Sequence, residues 1–257
     1  MKKKFQLKTI SLGSEPSHPN ISEVKEFISV YKGIEADLTT FLMLRSYSAQ
    51  KNAGIDEIGV GGIFCRPRME ESLSWDDEEG PLCVPHDLVR DYSLLSQKSE
   101  NIRSVHESPT VLSTCPSQDD EDTFAEICHG FRQVLRSLRD ARIAGHTIHL
   151  KNPTPLELEL LSGPKQQFFL YDPTPQNLED LLEHTRDLIL SGKNIPLLGE
   201  LIDQYQIRTL SVCDATKNAL SDVLQYVDPD HLKVAGYCSG FEEDCWKKVK
   251  ELSVTSV

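Results

Sequence analysis

The chain has 257 residues, and its 27 Lys plus Arg against 40 Asp plus Glu give a formal net charge of −13. That field repels nucleic acid and anionic membrane, so neither is expected as a partner. No run of 18 apolar residues suggests a membrane-spanning helix, and the basic Met1-Lys2-Lys3-Lys4 start lacks the continuous apolar stretch of a signal peptide. Seven cysteines, at 65, 83, 115, 128, 213, 238 and 245, contain no C-x-x-C pair. A scattered, odd set of this kind predicts reduced thiols in a cytoplasmic or nuclear compartment.

In chain order, Phe5 to Leu12 alternates apolar and polar residues as a strand does, and a turn-rich stretch from Gly13 to Asn20 follows. Ile21 to Lys32 reads as a helix with Val24, Phe27, Ile28 and Tyr31 on one side. Leu38 to Leu44 and Ile55 to Phe64 read as further strands, the second interrupted by Gly59, Gly61 and Gly62. Residues 1–65 are therefore taken as N-terminal strand and helix units. From 66 to 122 the composition shifts to Pro, Ser and acid, predicting a linker or long surface loops, with Leu82 to Leu95 and Ile102 to Leu112 as candidate short elements. The acidic runs Asp76 to Glu79 and Asp119 to Asp122 read as solvated loops. Thr123 to Arg139 then forms a helix with the stripe Phe124, Ile127, Phe131, Val134, Leu135 and Leu138.

Beyond that helix one phrase recurs six times: Ile148-His149-Leu150, Phe168-Phe169-Leu170, Leu188-Ile189-Leu190, Leu210-Ser211-Val212, Leu232-Lys233-Val234 and Leu252-Ser253-Val254. Asn152, Asp172 and Asp214 follow three of them at the same offset, and Pro153-Thr154-Pro155 is echoed by Pro173-Thr174-Pro175. A half-buried strand every twenty or so residues predicts an α/β fold, a leucine-rich-repeat-like solenoid of short strand–turn–helix units over 123–257. A doubly wound α/β domain has the same alternation, but its crossovers usually take about 30 residues. The solenoid would present Thr147, His149, Phe169, Tyr171, Ile189, Thr209, Ser211, Cys213, Lys233 and Tyr237 on its concave face, with Phe169 and Tyr171 as anchors for a protein partner.

Catalytic motifs are weak. His146 and His149 are three apart in a strand and face opposite sides, so they do not share a metal. Asp214 beside Cys213 raises the thiol pKa and works against a thiolate nucleophile. Gly59-Val60-Gly61-Gly62 lacks the spacing and the Lys-Ser/Thr of a phosphate loop, and Glu157 and Glu159 read as solvated carboxylates. No catalytic residue, metal or cofactor is expected.

Toward the C-terminus, Leu224 to Leu232 and Phe241 to Leu252 carry two phrases. Pro229 and Leu232 fill an "L-x-P-x-x-L" pattern, and Trp246, Lys247, Lys250 and Leu252 fill a "W-K-x-A-K-x-L" pattern. They resemble the end of the FTH domain of nematode F-box proteins, over residues 123–257. Cys245, Val249 and Lys233 depart from the family pattern, and no "L-P-x-E-V-L" F-box start precedes the repeats. The resemblance implies a non-enzymatic protein-interaction module, the substrate receptor of a ubiquitin ligase, with a Skp-type adaptor as partner. The alternatives are a stand-alone binding module without a ligase link and a small α/β hydrolase or transferase using His149, Cys213 or Asp214.

Overall fold

A computed structural model describes residues 4–32, 35–76, 78–113, 120–240 and 242–256. β1 (Lys4–Gln6) runs into β2 (Lys8–Pro16), followed by α1 (Ile21–Val30) and α2 (Leu38–Ala53). β3 (Ile58–Gly61) leads through a 3-10 turn (Ile63–Cys65) to α3 (Arg66–Ser72), a hairpin of β4 (Leu73–Asp76) and β5 (Gly80–Cys83), and α4 (His86–Ser96). β6 (Ile102–Glu107) is followed by a 3-10 turn (Pro109–Val111) and α5 (Glu121–Asp140). The rest alternates tightly: β7 (Gly145–Leu150), α6 (Pro155–Leu161), β8 (Gln166–Leu170), α7 (Pro175–His184), β9 (Asp187–Ser191) and α8 (Leu198–Gln204). β10 (Thr209–Cys213), α9 (Lys217–Val223), β11 (Leu232–Gly240), α10 (Glu242–Leu252) and β12 (Val254–Ser256) complete the chain.

Eight of these strands are parallel and fall into two rows, β3-β6-β7-β8 and β2-β11-β10-β9. At one seam Ser11 N–H donates to Glu57 O and Glu57 N–H to Thr9 O, both at 2.9 Å, which ties β2 to the start of β3. At the other seam β8 lies beside β9. The strands thus follow one another round a ring, each with helix behind it, in the arrangement of a (β/α)8 barrel. The antiparallel pair β1–β12 joins the two chain ends beneath it. Among the described residues no helix is long and apolar enough to cross a membrane.

The expected open solenoid is not what forms. A solenoid keeps its first and last units apart, whereas β2 pairs with β11 here, Ala235 opposite Ile10. Each strand triplet places its outer residues, such as Leu150, Leu170, Leu190, Val212 and Val234, against Leu158, Leu178, Leu198 and Leu220 of the helices behind. The middle residues turn to the ring's interior. Units of about twenty residues suffice because α6, α8 and α9 have only seven residues each. The repeated Thr-Pro phrase sets the helix starts. Thr154 and Thr174 cap α6 and α7, accepting from Glu157 N–H and Asn177 N–H, while Pro155 and Pro175 take the first helical position. The sixth triplet, Leu252-Ser253-Val254, ends α10 and begins β12, outside the ring.

Two regions differ from expectation in kind. Leu38 to Leu44 lies within helix α2, begun by an Asp37–Thr40 capping box. A short apolar run does not tell strand from buried helix, and the cap decides. Residues 66–113 hold α3, the hairpin, α4 and ring strand β6; α4 and β6 fall largely within the two candidate short elements, whereas α3 and the hairpin stand where composition suggested a linker or loops. Several acids here have partners. Arg68, 6% exposed at its side chain, binds Asp37, Glu71, Asp87 and Asp91, which ties α2, α3 and α4 together. Asp76 accepts from the N–H groups of Glu78 and Glu79, and Asp120 caps α5.

Candidate active site

The ring brings the ends of different strands to one mouth. Glu15 comes from the end of β2, Arg66 from the start of α3, Glu107 from β6, His149 from β7 and Tyr237 from β11, while Phe169 and Tyr171 come from and just beyond β8. The carboxyl ends of barrel strands are where active sites of this architecture are built. Close packing at the β2–β3 seam depends on glycine. A Cβ on Gly61, where φ is 120°, would lie 2.1 Å from Val105 O, and one on Gly13, where φ is 99°, would lie 2.6 Å from Gly61 O. The glycine run therefore serves packing beside the mouth.

His149 anchors a hydrogen-bonded chain. Its Nε2 lies 2.7 Å from Leu12 O and its Nδ1 2.7 Å from the Tyr171 hydroxyl. A carbonyl only accepts, so Nε2 carries the proton, and the ring is neutral because burial pushes its pKa down to about 4. Nδ1 then accepts, and Tyr171 donates to it. The imidazole is also boxed by Phe169, Tyr171 and Tyr237, with ring centroids 5.3, 5.2 and 5.5 Å away, all edge to face. The Tyr237 hydroxyl donates to Glu15 Oε1 at 2.9 Å. Burial, together with neighbouring carboxylates, holds both phenols above their ordinary pKa, so they stay protonated donors. The β2–β11 register shifts between Gly236 and Cys238, where Leu12 and Gly13 of β2 together stand opposite Tyr237.

Beside this chain, Arg66 grips Glu107 in a two-pronged ion pair, with N–O distances of 2.5 and 2.7 Å. Glu107 is 4% exposed, and its bond raises the Arg66 pKa. Below lies an apolar plug of Ile10, Leu12, Phe169, Ile189, Cys213 and Ala235. The Cys213 thiol is pushed up to about 12, by burial first and then by Asp214, so it is no nucleophile at neutral pH. A cleft of about 500 Å3 adjoins Tyr237, lined by Asp214, Ser239, Asp244, Cys245 and Lys248. Among the described residues no three His, Cys, Asp or Glu side chains gather as metal ligands.

Of the residues read from the sequence, His149, Phe169, Tyr171 and Tyr237 come together at the mouth. Ile189 and Cys213 sit beneath them in the plug, and Ser211 lies one layer lower, paired in register with Ile189 and Lys233. His146 points the other way and bonds Ser104. The C-terminal phrase lies elsewhere. Pro229 opens a short turn before β11, Leu232 is buried at that strand's start, and Trp246 is buried against Gly236. Lys247 faces solvent near Asp244, Lys250 binds Asp56 at 2.9 Å, and Leu252 packs on the core. Glu15, Arg66 and Glu107 escaped sequence reasoning. Glu107 carried one signal, as the inward position ending the alternation from Ile102.

No family model matches the chain, and no curated relative does. Two solved structures match its fold almost end to end. One, assigned as a vitamin-B12-independent methionine synthase from Listeria monocytogenes, is 13% identical with a TM-score of 0.59, covering 96% of both chains. The other, a B12-independent methionine synthase from Shewanella sp. W3-18-1 in complex with selenomethionine, is 16% identical with a TM-score of 0.60, covering 97% of this chain and 96% of that one.

The likeness is one of fold. It overturns the resemblance to an FTH domain, because a match spanning 96% of the chain makes residues 123–257 the greater part of one ring rather than a separate recognition half. The phrase that carried the resemblance is the last strand–helix unit of that ring. The reading as a non-enzymatic ubiquitin-ligase substrate receptor rested on that resemblance and goes with it; the two structures that share the fold are described as B12-independent methionine synthases. The Skp-type adaptor implied by the resemblance loses its basis.

Proposed function

We propose that the protein is a small-molecule enzyme working at the mouth of the barrel, and that its residues move a proton on a polar substrate bound over Tyr171, Tyr237 and Glu15. The observation that carries this reading is two fixed hydrogen-bonded units side by side at the mouth: His149, anchored to Leu12 O, accepts from Tyr171, and Tyr237 donates to the half-buried carboxylate of Glu15. His149 does not act as the base, because both nitrogens are engaged and its pKa is near 4. Its part is to hold Tyr171. Glu15, oriented by the Tyr237 hydroxyl, takes and returns the proton, and the phenol oxygens of Tyr171 and Tyr237, whose own protons go to His149 and Glu15, accept from N–H or O–H groups of the substrate. Arg66 keeps the Glu107 charge compensated at the same rim.

The test is binding by saturation-transfer NMR, followed by turnover assays on whatever binds. Selenomethionine, the ligand of the Shewanella structure, is the first probe, followed by a panel of amino acids, small carboxylic acids and amines. Glu15→Gln and Tyr237→Phe are each expected to weaken binding or turnover at least about tenfold, some 1.4 kcal/mol, while Val30→Ala on exposed α1 changes neither. Binding or turnover indifferent to both mouth substitutions overturns the reading.

A further inference from the structure

We propose that Cys238 and Cys245 form a reversible redox site that sets the position of Tyr237. The two are bonded as a disulfide with Cα atoms 5.9 Å apart, against the expectation of reduced thiols. The pair carries no C-x-x-C signature because it bridges two elements, the end of β11 and the body of α10. Cys238 directly follows Tyr237, whose hydroxyl donates to Glu15, at the point where the β2–β11 register shifts. Cys245 precedes Trp246, whose buried ring lies against Gly236 on the other side of Tyr237. A Cβ on Gly236 would lie 2.6 Å from Val249 and 3.1 Å from Trp246, so helix and strand are in close contact. β11 ends at Gly240, whose φ is 75°. The disulfide is the covalent tie holding this stretch of β11 to α10.

Access is one-sided. Cys238 is wholly buried, whereas Cys245 is half-buried and lines the cleft of about 500 Å3. Asp214 and Asp244 line that cleft too, with Lys248, so an uncharged dithiol suits it better than a dianionic one. One thiolate of the dithiol attacks Cys245 Sγ. The S–S bond breaks with its electron pair going to Cys238 Sγ, which takes a proton, and a mixed disulfide remains on Cys245. The second thiol of the dithiol then attacks its own mixed-disulfide sulfur and releases Cys245 as a thiol. The protein gains two electrons and two protons, and the dithiol leaves as its cyclic disulfide. With the tie open, the stretch of β11 around Tyr237 relaxes and Tyr237 leaves Glu15. Only the consequence for activity rests on the proposed function of the mouth.

The experiment is 19F NMR of the full chain labelled with 3-fluorotyrosine, in which the resonance missing from Tyr237→Phe identifies Tyr237 among seven tyrosines. Thiols are mapped in parallel by alkylation and mass spectrometry. Dithiothreitol is expected to reduce the pair without unfolding, Cys245 is alkylated before Cys238, and the Tyr237 resonance shifts by more than its linewidth. Diamide should restore it, and the Cys238→Ser/Cys245→Ser variant should show the reduced position unprompted. The proposal is overturned by free thiols at both positions in protein purified without reductant, by a disulfide that yields only on unfolding, or by an unmoved Tyr237 resonance after full reduction. Wild-type reduction decides the matter even if the double variant does not fold. A Tyr237 that moves in a protein binding no ligand counts against the proposed function alone.

Discussion

Both ends of the barrel hold ion pairs, Arg66–Glu107 at the mouth among them, but they differ in what stands beside those pairs. At the lower end, where strands begin, charged groups are matched to fixed partners. Lys233 meets Glu57 at 2.6 Å, Arg208 meets Asp187 at 2.6 Å, and Arg103 donates to the carbonyls of His146 and Lys165 at 2.7 and 2.9 Å. Gly145 makes that last arrangement possible, since a Cβ there would lie 2.6 Å from the Arg103 guanidinium. At the upper end His149 fixes Tyr171, and Tyr237 donates to Glu15, a half-buried carboxylate. The lower end serves stability, and a half-buried carboxylate at the strand ends serves a ligand. Strand β7 carries one histidine toward each end, His146 and His149, so the comparison can be made within a single strand.

The largest expected effect is acid lability. Burial holds His149 at about 4 and both His146 and His106 at about 3, against an ordinary value of 6.5. As pH falls below 6.5 the unfolded chain takes up these protons and the folded chain does not, so stability present above 6.5 is lost toward 4 and below. At about 1.4 kcal/mol per unit, each histidine contributes at most about 3 to 5 kcal/mol. Glu157 runs the other way. Burial pushes its carboxyl up to about 7 despite hydrogen bonds from Ser108 and Thr110, so the unfolded chain loses its proton first and stability falls between 4.5 and 7. Urea midpoints measured from pH 4 to 8 should therefore rise to about 6.5 and level off by about 7. His149→Gln and His146→Gln should each remove part of the acid slope, and Glu157→Gln should steepen the rise between 4.5 and 7. A midpoint flat from pH 4 to 6.5 would mean that water reaches these rings.

Much of the ring was legible in the sequence because strand alternation is a local signal. The triplets from Ile148 to Val234 are strands, and their middle residues share one face. Whether that face is open or enclosed is decided by β2 closing onto β11, a pairing of residues more than two hundred positions apart that no periodicity reveals. Glu15, Arg66 and Glu107 were missed for the same reason. They flank the strand ends of a half whose long excursions, α1 with α2 and α3 with its hairpin, break any regular spacing. The capping chemistry was present at Asp37 and at the Thr-Pro phrases, and would have corrected α2 had it been weighed above the apolar run. The disulfide was hidden because seven-residue spacing matches no motif.

A second, smaller effect sharpens the contrast between the ends. Arg103→Ala removes a charged donor from two main-chain carbonyls at the lower end, and its expected cost is about 3 kcal/mol in urea unfolding. Ligand binding at the mouth should stay within about twofold, because stability and site are carried by opposite ends. Unchanged stability would place the lower-end bonds among ordinary surface pairs, worth about 1 kcal/mol or less.

The smallest effect tests whether the upper chain is structural in its own right. Tyr171→Phe keeps the ring that packs edge to face on His149 and removes only the hydroxyl that donates to Nδ1. The imidazole remains fixed by its bond to Leu12 O and by Phe169 and Tyr237, so the loss is one unmatched buried acceptor, about 1 kcal/mol in the urea midpoint. The Tyr237–Glu15 bond does not pass through the deleted hydroxyl and should survive, leaving the Tyr237 19F resonance where it was. A cost as large as that of Arg103→Ala would erase the distinction between the two ends. The His149–Tyr171 bond would then be a structural brace, and the case for Glu15 as the working carboxylate would have to rest on ligand binding alone.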